Sequence, residues 1–240
     1  VYAVRAAESD HIEGVVLGCK YDVVFFDLEG TLVDPGPGAI EAARYALSRM
    51  GIMEASRYRL RRLIGPPLEE AFSLYYNMAP LEAERAADHY SQHYLEYGMA
   101  ENSLYDGVRR MLALLRQSRT GLVAVSCRDG IYVSRLMRQF SLAPSFITAR
   151  GRSVTGARTS KEQIVGDLLE ELPVLEGKNM VLVGDREDDV LAARALGLPC
   201  VAAGYGFGSS EELRNAGPDT VAGSVEELSE ALLARTAGRL

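Results

Sequence analysis

Tyr21 to Asp27 reads YDVVFFD, a short run of β-branched and aromatic residues that ends on a carboxylate, with Gly30 just beyond. A run with no polar alternation has two faces to bury, which is the pattern of a central strand in a parallel sheet. Runs of the same kind recur at Leu122 to Ser126 (LVAVS), Met180 to Asp185 (MVLVGD) and Pro199 to Gly204 (PCVAAG). Between them the apolar spacing turns helical, over Gly107 to Gln117, Gly130 to Phe140, Ser160 to Leu172 and Asp188 to Leu196, the last stopped by Gly197. Strands alternating with helices predict a doubly wound α/β fold on a mostly parallel sheet, and such sheets bind ligands at the carboxyl ends of their strands. Ser160 with Gln163, Ser209 with Glu212 and Ser224 with Glu227 have the spacing of capping boxes and mark three helix starts.

Residues 35–104 break this rhythm. After Asp34-Pro35-Gly36-Pro37-Gly38 come helical segments at Ala39 to Met50, Tyr58 to Ile64, Leu68 to Asn77 and Leu81 to Tyr97, with no convincing strand among them. The pattern predicts an all-helical cap domain over 35–104, inserted into a core domain made of 21–34 and 105–240. Residues 1–20 contain no apolar block long enough for a signal or membrane helix and read as an N-terminal extension.

At 240 residues and 48% hydrophobic, the chain can bury a full core. Its 33 acidic against 26 basic residues, net −7, and the lack of a long basic run argue against a nucleic-acid polymer as partner. Cys19, Cys127 and Cys200 are odd in number and far apart, as free thiols of a cytoplasmic protein would be.

The predicted strand ends and helix starts deliver a particular set of polar groups: Asp27 with Glu29, Ser126, Lys161, and Asp185 with Asp189. Phosphoryl transfer needs such a set. A carboxylate attacks, donors and a cation hold the phosphate oxygens, and further carboxylates bind a hard divalent cation that offsets the crowded charge. Asp27 is the expected nucleophile.

Asp27-Leu28-Glu29-Gly30-Thr31 resembles the DxDGT signature of haloacid dehalogenase (HAD) superfamily hydrolases, and Gly184-Asp185-Arg186-Glu187-Asp188-Asp189 resembles their GDxxxD signature. Ser126 and Lys161 fall between them in the family's order. Ile64-Gly65-Pro66-Pro67-Leu68 and Gly204-Tyr205-Gly206-Phe207-Gly208 are similar to the branch containing phosphoglycolate phosphatases and 5'-nucleotidase-like enzymes. The resemblance implies a magnesium-dependent phosphatase acting on a small phosphorylated metabolite, with neither nucleic acid nor membrane as partner. It implies that Asp27 becomes phosphorylated, that Ser126 and Lys161 hold the phosphoryl oxygens, and that Mg2+ is bound by Asp27, the backbone carbonyl of Glu29, Asp185 and Asp189.

Glu29 departs from the family pattern, in which an aspartate at this position protonates the leaving group and then activates water. One added methylene moves the carboxylate by about 1.5 Å, enough to cost about 100-fold in rate where positioning matters. Slowed turnover is therefore expected, and a weakly active or inactive phospho-ligand-binding module or a phosphomutase are the alternatives. A dehalogenase fits less well, since it would leave Asp185 and Asp189 without a task. His89 and His93, four apart, read as cap surface or cap packing in the absence of a third metal ligand. Arg57, Arg59, Arg61 and Arg62 read as a solvated face from which one guanidinium could meet an anionic substrate.

Overall fold

The computed structural model describes residues 15–64, 67–152 and 160–237. Residues 1–14 of the predicted extension, and Gly65 and Pro66 of the predicted cap turn, lie outside the described residues.

The strands among the described residues are β1 (Val15–Cys19), β2 (Val23–Phe26), β3 (Val33–Asp34), β4 (Ser103–Leu104), β5 (Gly121–Asp129), β6 (Thr148–Arg152), β7 (Met180–Gly184), β8 (Cys200–Ala203), β9 (Thr220–Ala222) and β10 (Leu233–Ala237). Six of them form one sheet in the order β6-β5-β2-β7-β8-β9, and every adjacent pair is parallel. The chain runs outward from β2 through β5 to β6, returns beside β2 at β7, and runs outward the other way. Its topological switch point therefore lies between β2 and β7, where a doubly wound sheet opens a crevice.

The unbroken apolar runs are explained by packing on both faces. Val24, Phe26, Val181 and Val183 point into one core, whereas Val23, Phe25, Leu182 and Val125 point into the other. Phe25 and Phe26 are both 0% exposed, and each such side chain contributes about 1.5–3 kcal/mol on burial. Helices α5 (Val108–Gln117), α6 (Gly130–Gln139) and α10 (Val225–Leu232) cover the first face. Helices α7 (Lys161–Glu171) and α8 (Glu187–Ala195) cover the second, and α9 (Ser210–Ala216) lies beyond them.

The cap holds α1 (Gly36–Arg49), α2 (Arg57–Arg61), α3 (Leu68–Tyr76) and α4 (Pro80–Glu96). Helix α1 begins three residues before the predicted Ala39. Pro37 sits in its first turn, where a missing N–H costs nothing, and Asp34 Oδ1 accepts the Gly36 N–H at 2.8 Å. The cap is not wholly helical: Val33 and Asp34 pair antiparallel with Leu104 and Ser103, which ties the two chain crossings between core and cap together. Two residues carry no periodicity, so nothing in the sequence announced this pair. Likewise, the last residues of the predicted extension form β1, which pairs antiparallel with β10 from Val15↔Ala237 to Cys19↔Leu233.

Of the three predicted capping boxes, the one at Ser160 is complete, with Gln163 N–H donating to Ser160 Oγ and Gln163 Oε1 accepting from Ser160 N–H. Ser209 and Ser224 each accept from the N–H three residues on. Glu212 and Glu227 bind other groups instead, Arg186 and the Gly223 N–H respectively.

Candidate active site

Asp27 sits one residue past β2 and donates its N–H to Val183 O on β7 at 2.8 Å, so the sheet register extends to Asp27 and fixes its backbone. The chain then turns back tightly, with Gly30 N–H donating to Val33 O and the Leu32 and Val33 N–H groups to Leu28 O. Gly30 has φ +85°, and a Cβ there would overlap the Asp185 carboxylate. Glycine is required on both counts.

Asp185 follows β7 and is 1% exposed. Its Oδ2 accepts the Phe207 N–H at 2.8 Å, so the loop after β8 holds this carboxylate from the far side. Asp189 lies in the first turn of α8 and has two tasks. Its Oδ2 accepts the Arg186 N–H at 3.1 Å at the helix start, and its Oδ1 lies 2.7 Å from Lys161 Nζ. The Lys161 ammonium, buried at the start of α7, also donates to Asp27 Oδ1. Ser126 is 4% exposed, at the point where β5 shifts register against β6, an irregularity of the kind that re-aims side chains. Its Oγ accepts the Arg128 N–H at 3.2 Å and keeps its own proton to donate.

Charge is crowded here. Burial pushes the Asp27 carboxyl up to about 7, against the pull of Lys161. Burial, with the charges of Asp27 and Asp189 added, raises Asp185 well above the carboxylate range. Burial works against the Lys161 ammonium, but Asp189 and Asp27 hold it charged. Two buried carboxylates in this condition, beside a loop carbonyl, are the hard oxygen donors that suit a divalent cation. Among the described residues no three His, Cys, Asp or Glu side chains converge into a ready cage.

Asp27, Glu29, Ser126, Lys161, Asp185 and Asp189 all line one cleft of about 690 Å3 between core and cap. The cap wall is formed by Leu63, Ile64, Leu68 and Tyr90 with Glu69 at its edge. What the sequence did not announce is the environment of Glu29. Its Oε2 accepts from Arg128 Nε at 2.6 Å, and its Oε1 accepts from Tyr132 Oη at 2.5 Å and from Tyr94 Oη at 3.3 Å. These partners stand 65 to 103 residues away, beyond the reach of any short motif. His93 stacks on Tyr45 at 4.4 Å and His89 meets the same ring edge-on at 6.4 Å, so of the two readings both histidines take cap packing. Of the arginines, Arg59 pairs with Glu54 at 3.1 Å, Arg62 lies over Tyr75 and Arg61 over Phe207. No helix among the described residues is long and apolar enough to cross a membrane.

Residues 24–203 match the family of haloacid dehalogenase-like hydrolases. A 5'-nucleotidase of Pseudomonas aeruginosa is 36% identical over 81% of this chain and 88% of its own length. Tyrosine-protein kinase PtkA of Mycobacterium tuberculosis is 33% identical over 88% of this chain and 72% of its own. A phosphoglycolate phosphatase of Vibrio parahaemolyticus is 26% identical over 87% and 94%. Among solved structures, a haloacid dehalogenase-like family hydrolase of Streptococcus pneumoniae superposes with a TM-score of 0.77 at 26% identity, covering 88% of this chain and 97% of that one. With the strand-end carboxylates, the buried lysine and the helical cap in place, the chain belongs to the haloacid dehalogenase-like hydrolase family, as a phosphoric monoester hydrolase.

Proposed function

We propose that this enzyme is a magnesium-dependent phosphatase that hydrolyses a small phosphomonoester, phosphoglycolate- or nucleotide-like, through a phospho-aspartyl intermediate on Asp27. The observation that carries the reading is the gathering of Asp27, Ser126, Lys161 and Asp185 in one cleft at the sheet's switch point. Lys161 engages Asp27 Oδ1, which leaves Oδ2 to attack phosphorus. The Ser126 hydroxyl and the Lys161 ammonium hold the phosphoryl oxygens. As the Asp27–phosphorus bond forms and the ester bond breaks, Glu29 gives a proton to the departing oxygen. Glu29 then takes one from the water that releases phosphate from Asp27, and its greater length slows this step. Asp27, the main-chain carbonyl of Glu29 and Asp185 would hold the magnesium, with Asp189 supporting it through water. When bound, the cation offsets the negative charge that these carboxylates and the phosphate bring together. The apolar cap wall suits an organic leaving group, and the three free cysteines support a cytoplasmic setting.

The three donors on Glu29 favour a second reading, in which water is poorly activated and the chain binds a phospho-ligand with little turnover, or passes the phosphoryl group from Asp27 to a hydroxyl other than water. The relative named as a tyrosine kinase, and a phosphomutase activity, belong to this alternative.

A panel of phosphorylated metabolites, assayed for inorganic phosphate with magnesium and with chelator, separates the two. Magnesium-dependent release from at least one ester is expected. A stable phosphoenzyme without release would favour the second reading, and the lack of both would overturn the phosphatase reading.

A further inference from the structure

The geometry points to Arg128, Tyr132 and Tyr94 as positioning residues that set which oxygen of Glu29 works in the reaction, and to Tyr94 as the link that makes this setting depend on the cap. The inference rests on Glu29 being the proton-transfer group of the phosphatase reading.

A carboxylate offers about four lone-pair sites, two on each oxygen. Glu29 Oε1 is covered by two hydroxyls, accepting from Tyr132 Oη at 2.5 Å and facing Tyr94 Oη at 3.3 Å. Oε2 carries one donor, Arg128 Nε at 2.6 Å, and keeps one site. Oε2 is therefore the oxygen left to meet the leaving group and the water.

The extra methylene of glutamate would otherwise let the carboxylate swing among several rotamers. Here donors from the core on both oxygens select one position, so the longer side chain is held at a fixed point.

The donors come from different bodies. Arg128 lies at the end of β5 and Tyr132 in the first turn of α6, both in the core, whereas Tyr94 belongs to α4 of the cap. The single Tyr94 hydroxyl proton is shared among Glu29 Oε1, Tyr132 Oη at 2.9 Å and Asn102 Oδ1 at 3.1 Å, so Tyr94 supports Glu29 both directly and through Tyr132, and the two tyrosine rings stack at 6.3 Å. A cap that moved away would take Tyr94 from Glu29 and leave Tyr132 to hold Oε1 alone. Tyr94 and Tyr132 are 3% exposed, so removing either hydroxyl leaves a packed ring in place.

The test measures kcat/KM of Tyr132→Phe and Tyr94→Phe, with magnesium, on 4-nitrophenyl phosphate and on an alkyl monophosphate. The nitrophenolate leaves with little help from a proton, and the alkoxide does not. Tyr132→Phe is expected to lose about 30-fold on the alkyl ester, and about tenfold less than that on the activated one. Tyr94→Phe shows the same contrast with a smaller loss. In a Glu29→Gln background neither change adds a further contrast, because groups acting through one residue are not additive. Equal losses on both esters, or the same contrast persisting with Glu29→Gln, would assign the tyrosines a merely structural role and overturn the inference while leaving the phosphatase reading intact. A wild-type enzyme with no magnesium-dependent release from either ester would overturn the phosphatase reading and this inference with it.

Discussion

Core and cap meet at one cleft but furnish it differently. The core brings the carboxylates, the lysine and the serine, each at a strand end or helix start and nearly all buried. The cap brings Leu63, Ile64, Leu68 and Tyr90, with Glu69 as the one charged side chain that its described residues add to the lining. Chemistry that depends on fixed charges gains from a rigid sheet, and on the proposed function selection among leaving groups would fall to the mostly apolar cap wall. Tyr94 is the exception, a cap residue bonded to a core carboxylate.

Substitutions in the core should therefore act on the chemical step, and substitutions on the cap wall on binding. The largest effect is expected from Asp27→Asn, where a poor nucleophile of similar shape replaces a good one. The loss in kcat should be on the order of 10⁴-fold or more, with the circular dichroism spectrum unchanged. If the folded variant kept most of its activity, the nucleophile would have to lie elsewhere, and the contrast between core and cap would lose its main support.

Asp185→Asn should act less strongly and in a different way. It takes one negative oxygen from a site that already gathers phosphate charge, so the magnesium needed for half-maximal rate should rise by about 10- to 100-fold, with kcat partly restored at high magnesium. A magnesium titration identical to wild type would show that Asp185 does not hold the cation. Because Asp185 also accepts the Phe207 N–H, a neutral side chain should loosen that loop, read as faster amide exchange around Phe207.

The core site was legible in the sequence because its residues are tied to local pattern. Asp27 follows a run that must be a buried strand, Lys161 follows a serine with the capping spacing, and Asp189 occupies the third position of a helix whose first turn is acidic. All six of the sequence-chosen residues line the cleft. The edge strands were harder to read. Thr148 to Arg152 (TARGR) is half-buried and bonded on one side only, so it need not be apolar, and Thr220 to Ala222 is too short to show a period. The setting of Glu29 had no local signal, since Tyr94, Arg128 and Tyr132 reach it through tertiary packing. The departure from aspartate drew attention to Glu29, while its partners emerge only when α4 and α6 pack together.

The smallest effect is expected from Glu69→Gln on the cap. Glu69 is exposed in the first turn of α3, at the edge of a cleft that must receive a phosphate dianion, so its charge opposes binding. Across about 8 Å of water-like medium a unit charge is worth about 0.5 kcal/mol, and about twice that against a dianion. KM should therefore fall by about two- to fivefold, and more for a substrate whose leaving group is itself anionic than for a neutral one. The charge acts alike on the bound substrate and its transition state, so kcat should hold. Salt should erase the gain, because the pair is exposed to solvent and screened beyond about 8 Å at physiological ionic strength. The substitution also removes an acid from a helix N-terminus, worth about 0.3–1 kcal/mol, and a slight drop in thermal stability would accompany tighter binding. A rise in KM would instead mean that Glu69 accepts a hydrogen bond from the substrate, as a hydroxyl-rich leaving group would offer. A large fall in kcat would break the division itself, by placing chemistry on the cap.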